Sequence, residues 1–164
     1  MFMKWKNWAP SLLAALTIVC GIFTVSALGD TRNVSEYNLE NGMGLGGFDP
    51  VAIFPEGGGK PIAGNANLSQ NFGGILYFFA SEKNRALFSQ NPAKYEPTYG
   101  GWCAYAMASG AKVMIQPQLY SIHGNRAHYF VSMRAKQNFD RDVAGYEGRA
   151  DGFWKQISGE VPRQ

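Results

Sequence analysis

Residues 99–110 read YGGWCAYAMASG, and the other secondary-structure signals of the chain lie on either side of this segment. The pair Gly100-Gly101 is typical of a turn, because glycine adopts backbone conformations that other residues avoid. The alanine-rich run from Trp102 to Ser109 predicts a short helix, and Gly110 is a natural residue to end it. The segment therefore predicts a turn followed by one compact helical element.

The sequence before this segment predicts a strand, a hairpin and a helix. Val51–Phe54 is a short apolar run, which is typical of a strand. Residues 65–70 and 75–79 flank a glycine-bearing turn and predict a β-hairpin. Ser81 is a suitable N-cap for a helix over residues 82–88.

The sequence after the segment repeats these types of signal. Residues 113–115 predict a further strand, and residues 120–122 and 127–131 predict a second hairpin. The last third, residues 133–157, predicts helical structure interrupted at Gly145. No internal repeat is evident. The signals together predict a small single α+β domain with short antiparallel strands, hairpins and several short helices.

Composition limits the class of protein. The chain has 164 residues, of which 46% are hydrophobic and 16% charged, so we expect one folded domain and no disordered or coiled-coil protein. The formal net charge is +3, and Lys4 and Lys6 supply part of it near the N-terminus. The rest of the chain has no cluster of Lys and Arg, so we expect no nucleic-acid partner.

The first residues have the pattern of an export signal. Lys4 and Lys6 precede a mostly apolar run over residues 9–25, and Val25-Ser26-Ala27 offers the small residues that signal peptidase reads. We therefore predict a signal peptide over residues 1–27. The mature protein is expected in the periplasm or outside the cell.

Two alternatives to this cleavage remain. A retained membrane anchor would need about 20 apolar residues, and this run is shorter and contains Pro10. We therefore expect no stable membrane span after cleavage. Acylation at Cys20, giving a lipoprotein, is the other alternative, although the preceding Val19 is bulky for such a site.

The remaining boundaries follow from composition. Residues 28–45 are polar, contain glycine and show little periodicity, so they predict a flexible N-terminal arm. Residues 46–157 hold the strand and helix signals and form the predicted domain. Residues 158–164 are expected to be a C-terminal tail.

Cysteine usage narrows the chemistry. The sequence has Cys20 and Cys103, and cleavage of the signal peptide leaves Cys103 alone, so no internal disulfide can form. The sequence contains none of the CxxC, HExxH, GxSxG, Walker or dinucleotide-binding motifs. No catalytic residue is therefore assigned, and we lean away from an enzyme.

The chain resembles the YHS domain family, in particular its exported bacterial members. The resemblance rests on GFDPVAIF at residues 47–54, YFFAS at residues 77–81, FSQNPAKY at residues 88–95 and YGGWCAYAMA at residues 99–108. It covers residues 46–110, and its extended form reaches residue 157. The order of these motifs makes a chance match improbable.

The resemblance implies metal binding, but this chain departs from the implied ligands. In relatives, cysteines follow the Asp-Pro-Val turn and flank the position of Ser81, and the corresponding residues here are Ala52, Ala80 and Asn84. None of these residues provides a thiolate. Asp49 is expected to cap local backbone N–H groups in the turn, as aspartate commonly does before proline.

A different set of residues is the candidate metal site. Cys103 and Met107 are four residues apart, so a helix would place both sulfurs on one face. Two soft ligands suit copper(I) or another soft transition-metal ion, and His123 or His128 would complete the site. The alternative places Cys103 and Met107 in the core, and His123 on the surface at a hairpin turn.

These observations leave three hypotheses for function. The first is an exported, non-enzymatic YHS-like module that binds a metal ion or small ligand near Cys103. The second is a thiol enzyme or redox protein that uses Cys103 as nucleophile with His128 as base. The third is a structural or interaction module without a bound ligand.

Overall fold

Two β-hairpins, each followed by a helix, supply most of the fold. The computed structural model describes residue 1 and residues 32–163, and this part of the chain has an α+β fold with two small sheets and five α-helices. The strands are β1 (Leu39–Glu40), β2 (Met43–Gly44), β3 (Asn65–Phe72), β4 (Ile75–Phe79), β5 (Gln116–His123) and β6 (Arg126–Phe130). The helices are α1 (Glu82–Gln90), α2 (Pro92–Tyr95), α3 (Ala104–Met107), α4 (Met133–Arg141) and α5 (Val143–Ser158). The predicted fold class is confirmed.

The larger sheet has the strand order β1-β2-β4-β3, and the smaller one is the β5-β6 hairpin. Strand β2 pairs with β4 in parallel, whereas the other strand pairs are antiparallel. A two-residue turn joins β1 to β2, with φ of 51° at Asn41 and 80° at Gly42. Asn-Gly is the sequence that such a turn favours, because both of its residues need positive φ.

An internal repeat relates the two hairpin–helix units, residues 65–96 and residues 116–147. The second unit begins each element 51 residues after the first: Gln116 against Asn65, Arg126 against Ile75 and Met133 against Glu82. The hairpins also share the position of their register shift, between Asn65 and Ser69 and between Gln116 and Tyr120. The expectation of no repeat is therefore wrong. Identical pairs are Leu68/Leu119, Gly73/Gly124, Phe79/Phe130, Ser81/Ser132, Phe88/Phe139, Ala93/Ala144, Tyr95/Tyr146 and Glu96/Glu147.

The same capping chemistry starts the helix of each unit. The hydroxyl of Ser81 accepts a hydrogen bond from the Asn84 N–H at 3.1 Å, and that of Ser132 accepts one from the Ala135 N–H at 3.2 Å. Both bonds satisfy a donor that the helix itself leaves unpaired. Seven residues after its serine, each helix buries a phenylalanine completely. The predicted cap at Ser81 is confirmed.

The segment at residues 99–110 lies in the core. Gly100 has a φ of 59°, and a Cβ atom on it would lie 2.5 Å from Cη2 of Trp154. Glycine is therefore required there both by the turn and by the close approach of α5. The helix that follows is shorter than predicted, Ala104–Met107, and it contacts α4, α5 and β6.

Three local predictions are wrong. Val51–Phe54 forms a turn instead of a strand, because the Asp49 carboxylate binds its backbone N–H groups. Residues 113–115 belong to no strand. The break in the C-terminal helices lies at Asp142 rather than at Gly145, since the Asp142 carboxylate caps α5 by accepting the Gly145 N–H at 3.1 Å.

The described part of the expected flexible arm, residues 32–45, belongs to the folded domain. It forms β1 and β2, and its side chains of Tyr37 and Leu45 are buried in the core. The apolar side chains are too widely spaced to show periodicity, which is why the sequence pattern failed to reveal this packing. The arm is thus a structural part of the larger sheet.

The expected C-terminal tail is folded as well, through an ion cluster centred on Glu96. The buried Glu96 carboxylate accepts hydrogen bonds from Arg32 Nη1 at 2.7 Å and Arg32 Nη2 at 3.0 Å. Arg163 Nε lies 3.0 Å from its Oε2, and the Tyr77 hydroxyl donates to its Oε1 at 2.9 Å. The cluster therefore joins residues from both ends of the described chain to the first unit.

The predicted signal peptide falls almost entirely on residues outside the described part of the chain. Among the described residues, no helix is both long and apolar enough to cross a bilayer.

The Glu96 cluster predicts a large effect of a small substitution. Glu96→Gln keeps the shape of the side chain but leaves two guanidinium groups facing a neutral amide. We expect the free energy of unfolding, measured by urea denaturation, to fall by about 3 kcal/mol, as for other broken buried ion pairs.

Glu82→Gln is the matched control for this experiment. Glu82 pairs with Arg85 at 2.7 Å on the exposed surface of α1. Its replacement should change the free energy of unfolding by less than about 1 kcal/mol. Equal effects of the two substitutions would contradict the structural role of Glu96.

Candidate functional site

Cys103 and Met107 lie in the core. Cys103 immediately precedes α3, and its carbonyl accepts the Met107 N–H at 2.9 Å, so the two residues are one helical turn apart as predicted. Both side chains are 0% exposed. The alternative in which both are core residues is therefore confirmed for their burial.

His123 and His128 come together on the second hairpin. His128 pairs with Ser121 across the hairpin, and the rings of His123 and His128 lie 6.0 Å apart between centroids. Nε2 of His123 lies 2.9 Å from Oδ1 of Asp140, and Nε2 of His128 lies 2.7 Å from Oε1 of Glu147. The two histidines thus connect the hairpin to α4 and α5.

Cys103 and His128 lie on different faces of β6. Cys103 is bridged to Tyr129, and successive side chains of a strand point to opposite faces, so His128 faces away from Cys103. Among the described residues, no group of three or more His, Cys, Asp and Glu side chains is placed to hold a metal ion. The soft-metal site stays a prediction that this geometry does not assemble.

Burial of His128 shifts its pKa. His128 is 1% exposed, and the cost of burying its charged form lowers its pKa below the usual value. The hydrogen bond from His128 lowers the pKa of Glu147, which also lies 3.5 Å from Arg126. Nδ1 of His128 is buried and has no partner among the described residues.

The positions at which the YHS resemblance implies cysteines surround one carboxylate. The Ala52 and Ala80 N–H groups donate to Asp49 at 3.2 Å and 2.8 Å, and Asn84 Nδ2 donates at 2.6 Å. Asp49 is 1% exposed and also accepts the Val51 N–H at 2.8 Å, which confirms its predicted capping role. The hydrogen bonds to the Asp49 carboxylate thus come from backbone N–H groups and from the Asn84 side chain.

The sequence did not reveal a largely apolar groove of about 450 Å³ between β1 and residues 113–117. Its apolar lining is Leu39, Leu45, Phe48, Met114, Ile115 and Pro117. Met114 is 70% exposed, unusually high for a large hydrophobic side chain. The signal available in the sequence was the strand prediction at residues 113–115, which the structure leaves without a strand partner.

The burial of Cys103 predicts slow thiol chemistry. In the chain from Leu28 onward, labelling of Cys103 by an aromatic disulfide should require unfolding, because no side-chain atom is exposed. Replacing Cys103 with Ala should lower the free energy of unfolding by about 1 kcal/mol through a small cavity.

Competition for copper(I) distinguishes a core role of Cys103 and Met107 from the predicted soft-metal site. Wild type, Cys103→Ala and Met107→Leu should retain equal amounts of copper(I) against a chromophoric chelator. Weaker retention by both variants would instead support the predicted soft-metal site.

The lowered pKa of His128 predicts acid sensitivity. Burial favours the neutral ring in the folded state. The contribution of neutral His128 to the free energy of unfolding is therefore fully present above a pH of about 6.5 and is lost as the pH falls below it. Protonation of one such group costs up to about 1.4 kcal/mol per pH unit. His128→Gln removes the proton site and retains an amide donor for Glu147. Its free energy of unfolding should therefore fall less than that of wild type between pH 7.5 and pH 5.5, and an equal fall would contradict the assignment.

Resemblance to the YHS family rests on the motifs of the sequence. Comparisons of the chain with protein-family models, with curated proteins and with solved structures find no match. Function therefore has to be inferred from the residues and contacts of this chain.

Proposed function

We propose that the chain is an exported, non-enzymatic, YHS-like interaction domain that binds a segment of a partner protein in the groove between β1 and residues 113–117. The groove itself is the observation that carries this proposal. Its lining is mostly apolar, as in the core of protein–protein interfaces, and its volume suits a few side chains of a partner.

The contrast between Met114 and the neighbouring core residue Leu45 supports binding at the groove. Leu45 is 2% exposed at the groove, whereas Met114 leaves 70% of its surface in contact with solvent. Methionine adapts its shape to a bound partner at little cost, since it is unbranched and polarizable. A partner segment would remove this apolar surface from water, which favours association.

The surroundings of Cys103 support a non-enzymatic role. A nucleophilic cysteine needs access to substrate and a base beside it. Cys103 is fully buried, and His128 lies on the other face of β6. The positively charged and apolar N-terminal residues support export, so the partner would be met in the periplasm or outside the cell.

Peptide selection tests the proposed function directly. A random-peptide phage library is selected on the wild-type chain, and the enriched peptides are measured on purified variants. Met114→Glu places a carboxylate in the groove, so peptide binding should weaken at least about tenfold, or about 1.4 kcal/mol.

Met133→Glu is the matched control. Met133 is also exposed, at 52%, but it lies at the start of α4, outside the residues that line the groove. This variant should bind the selected peptides as wild type does. Failure to enrich any peptide, or equal binding by Met114→Glu, would overturn the proposed function.

A further inference from the structure

We infer that the partner segment binds in the groove as an added β-strand, hydrogen-bonded between Leu39 and residues 113–115. This inference rests on the proposed function and names the conformation and chemistry of the partner. Three observations support it: the unpaired backbone of the groove's walls, the internal repeat and the side chains of the lining.

The groove continues the space that residues 100–103 occupy between the arm and Val113. The Asn38 N–H donates to the Gly100 carbonyl at 2.9 Å, and the Cys103 N–H donates to the Val113 carbonyl at 2.9 Å. Asn38 and Val113 directly precede the groove residues Leu39 and Met114, so one chain segment bonds to the backbone of both walls at the end of the groove.

The backbone of both walls has groups available for hydrogen bonds. The two-residue turn makes Glu40 and Met43 the hydrogen-bonded pair of their hairpin, so the N–H and C=O groups of Leu39 point away from β2. On the other wall, the N–H and C=O groups of Met114 and Ile115 make no hydrogen bond to another described residue. Exposed strand edges of this kind are the template for strand addition.

The internal repeat shows what covers the same segment elsewhere in the molecule. Residues 113–115 correspond to residues 62–64, at the same spacing of 51 that relates the two units. In the first half, residues 47–49 lie antiparallel to residues 62–64, through a bridge from Phe48 to Ala63. The Asp49 N–H donates to the Ile62 carbonyl and the Gly64 N–H donates to the Gly47 carbonyl, both at 2.9 Å.

The second half keeps this covering segment, as residues 101–103, but loses one of its two hydrogen bonds. The Cys103 N–H donates to the Val113 carbonyl, as that of Asp49 does to Ile62, whereas the Ile115 N–H, the counterpart of the Gly64 N–H, has no partner among the described residues. The Gly101 carbonyl instead accepts Asn38 Nδ2 at 2.8 Å. An extended segment from a partner would supply an acceptor for the Ile115 N–H.

The lining indicates the sequence that such a segment would have. Side chains on one face of an added strand, two residues apart, would lie on Leu45 and Phe48. Glu40 is the charged side chain among the residues that line the groove. We therefore expect a partner segment with apolar or aromatic residues at alternate positions and a Lys or Arg near Glu40.

Backbone methylation tests strand addition. The strongest-binding peptide from the phage selection is synthesised with N-methyl groups at alternate amides, in either of the two registers. Each methylated peptide should bind the wild-type chain at least about tenfold more weakly, because it can no longer donate to the walls. A peptide methylated only at its terminal amide is the control and should keep its affinity.

Amide hydrogen exchange gives a second measurement on the same complex. The amides of Leu39 and Ile115 should exchange at least about tenfold more slowly when the unmethylated peptide is bound, whereas the amide of Arg134 in the first turn of α4 should not change.

The outcomes separate the two proposals. Unchanged affinity of the methylated peptides, with unchanged exchange at Leu39 and Ile115, would overturn strand addition and leave the groove as an apolar binding site. Failure to select any peptide would overturn the proposed function and this inference with it. A wild-type dimer that Met114→Glu dissociates would show that a second copy of the chain, rather than a partner segment, covers the groove.

Discussion

The buried carboxylate of Glu96 holds the two ends of the described chain to its centre. Removing a carboxylate and two guanidinium groups from water costs several kcal/mol per ion unless hydrogen bonds replace those to water. Arg32, Arg163 and Tyr77 provide these bonds together, so the carboxylate is stable only when all three are in place. The cluster therefore ties both ends of residues 32–163 to the first unit, and Tyr37 and Leu45 of the N-terminal arm lie in the core with residues of the hairpins.

In the internal repeat, Glu96 has a counterpart that bonds to a histidine instead of a tyrosine. Glu147 corresponds to Glu96, and His128 corresponds to Tyr77, at the same spacing along the chain. Burial acts on both aromatic partners in the direction that keeps them uncharged: it raises the pKa of Tyr77 well above its usual value and lowers that of His128. The Tyr77 hydroxyl and the His128 ring are therefore both uncharged near neutral pH, and of the two only His128 gains a proton as the pH falls.

Local signals in the sequence predicted the elements that depend on neighbours along the chain. Both hairpins, the serine cap of α1, the glycine turn at residues 100–101 and the capping role of Asp49 follow from short patterns of this kind. The burial of Cys103 was one of two open alternatives, because four-residue spacing does not reveal which way a helix face points. The arm, the repeat and the groove depend on contacts between distant residues. The repeat preserves strand lengths, register and caps while most of its side chains differ, so periodicity and motif reading could not detect it.

The groove and the ion cluster are two consequences of the same chain path. Gly100 and Gly101 both have positive φ, as Gly46 and Gly47 do in the first half, and the Gly101 carbonyl at this turn accepts a hydrogen bond from the Asn38 side chain. The turn is possible because Gly100 has no Cβ to collide with Trp154. The Ile115 N–H is therefore left without the carbonyl partner that the Gly64 N–H has in the first half, and β1 faces residues 113–117 across the groove. Because β1 belongs to the arm that Arg32 anchors to Glu96, those ion pairs help to hold one wall of the groove in place. Contacts that stabilise the core thus also position the groove.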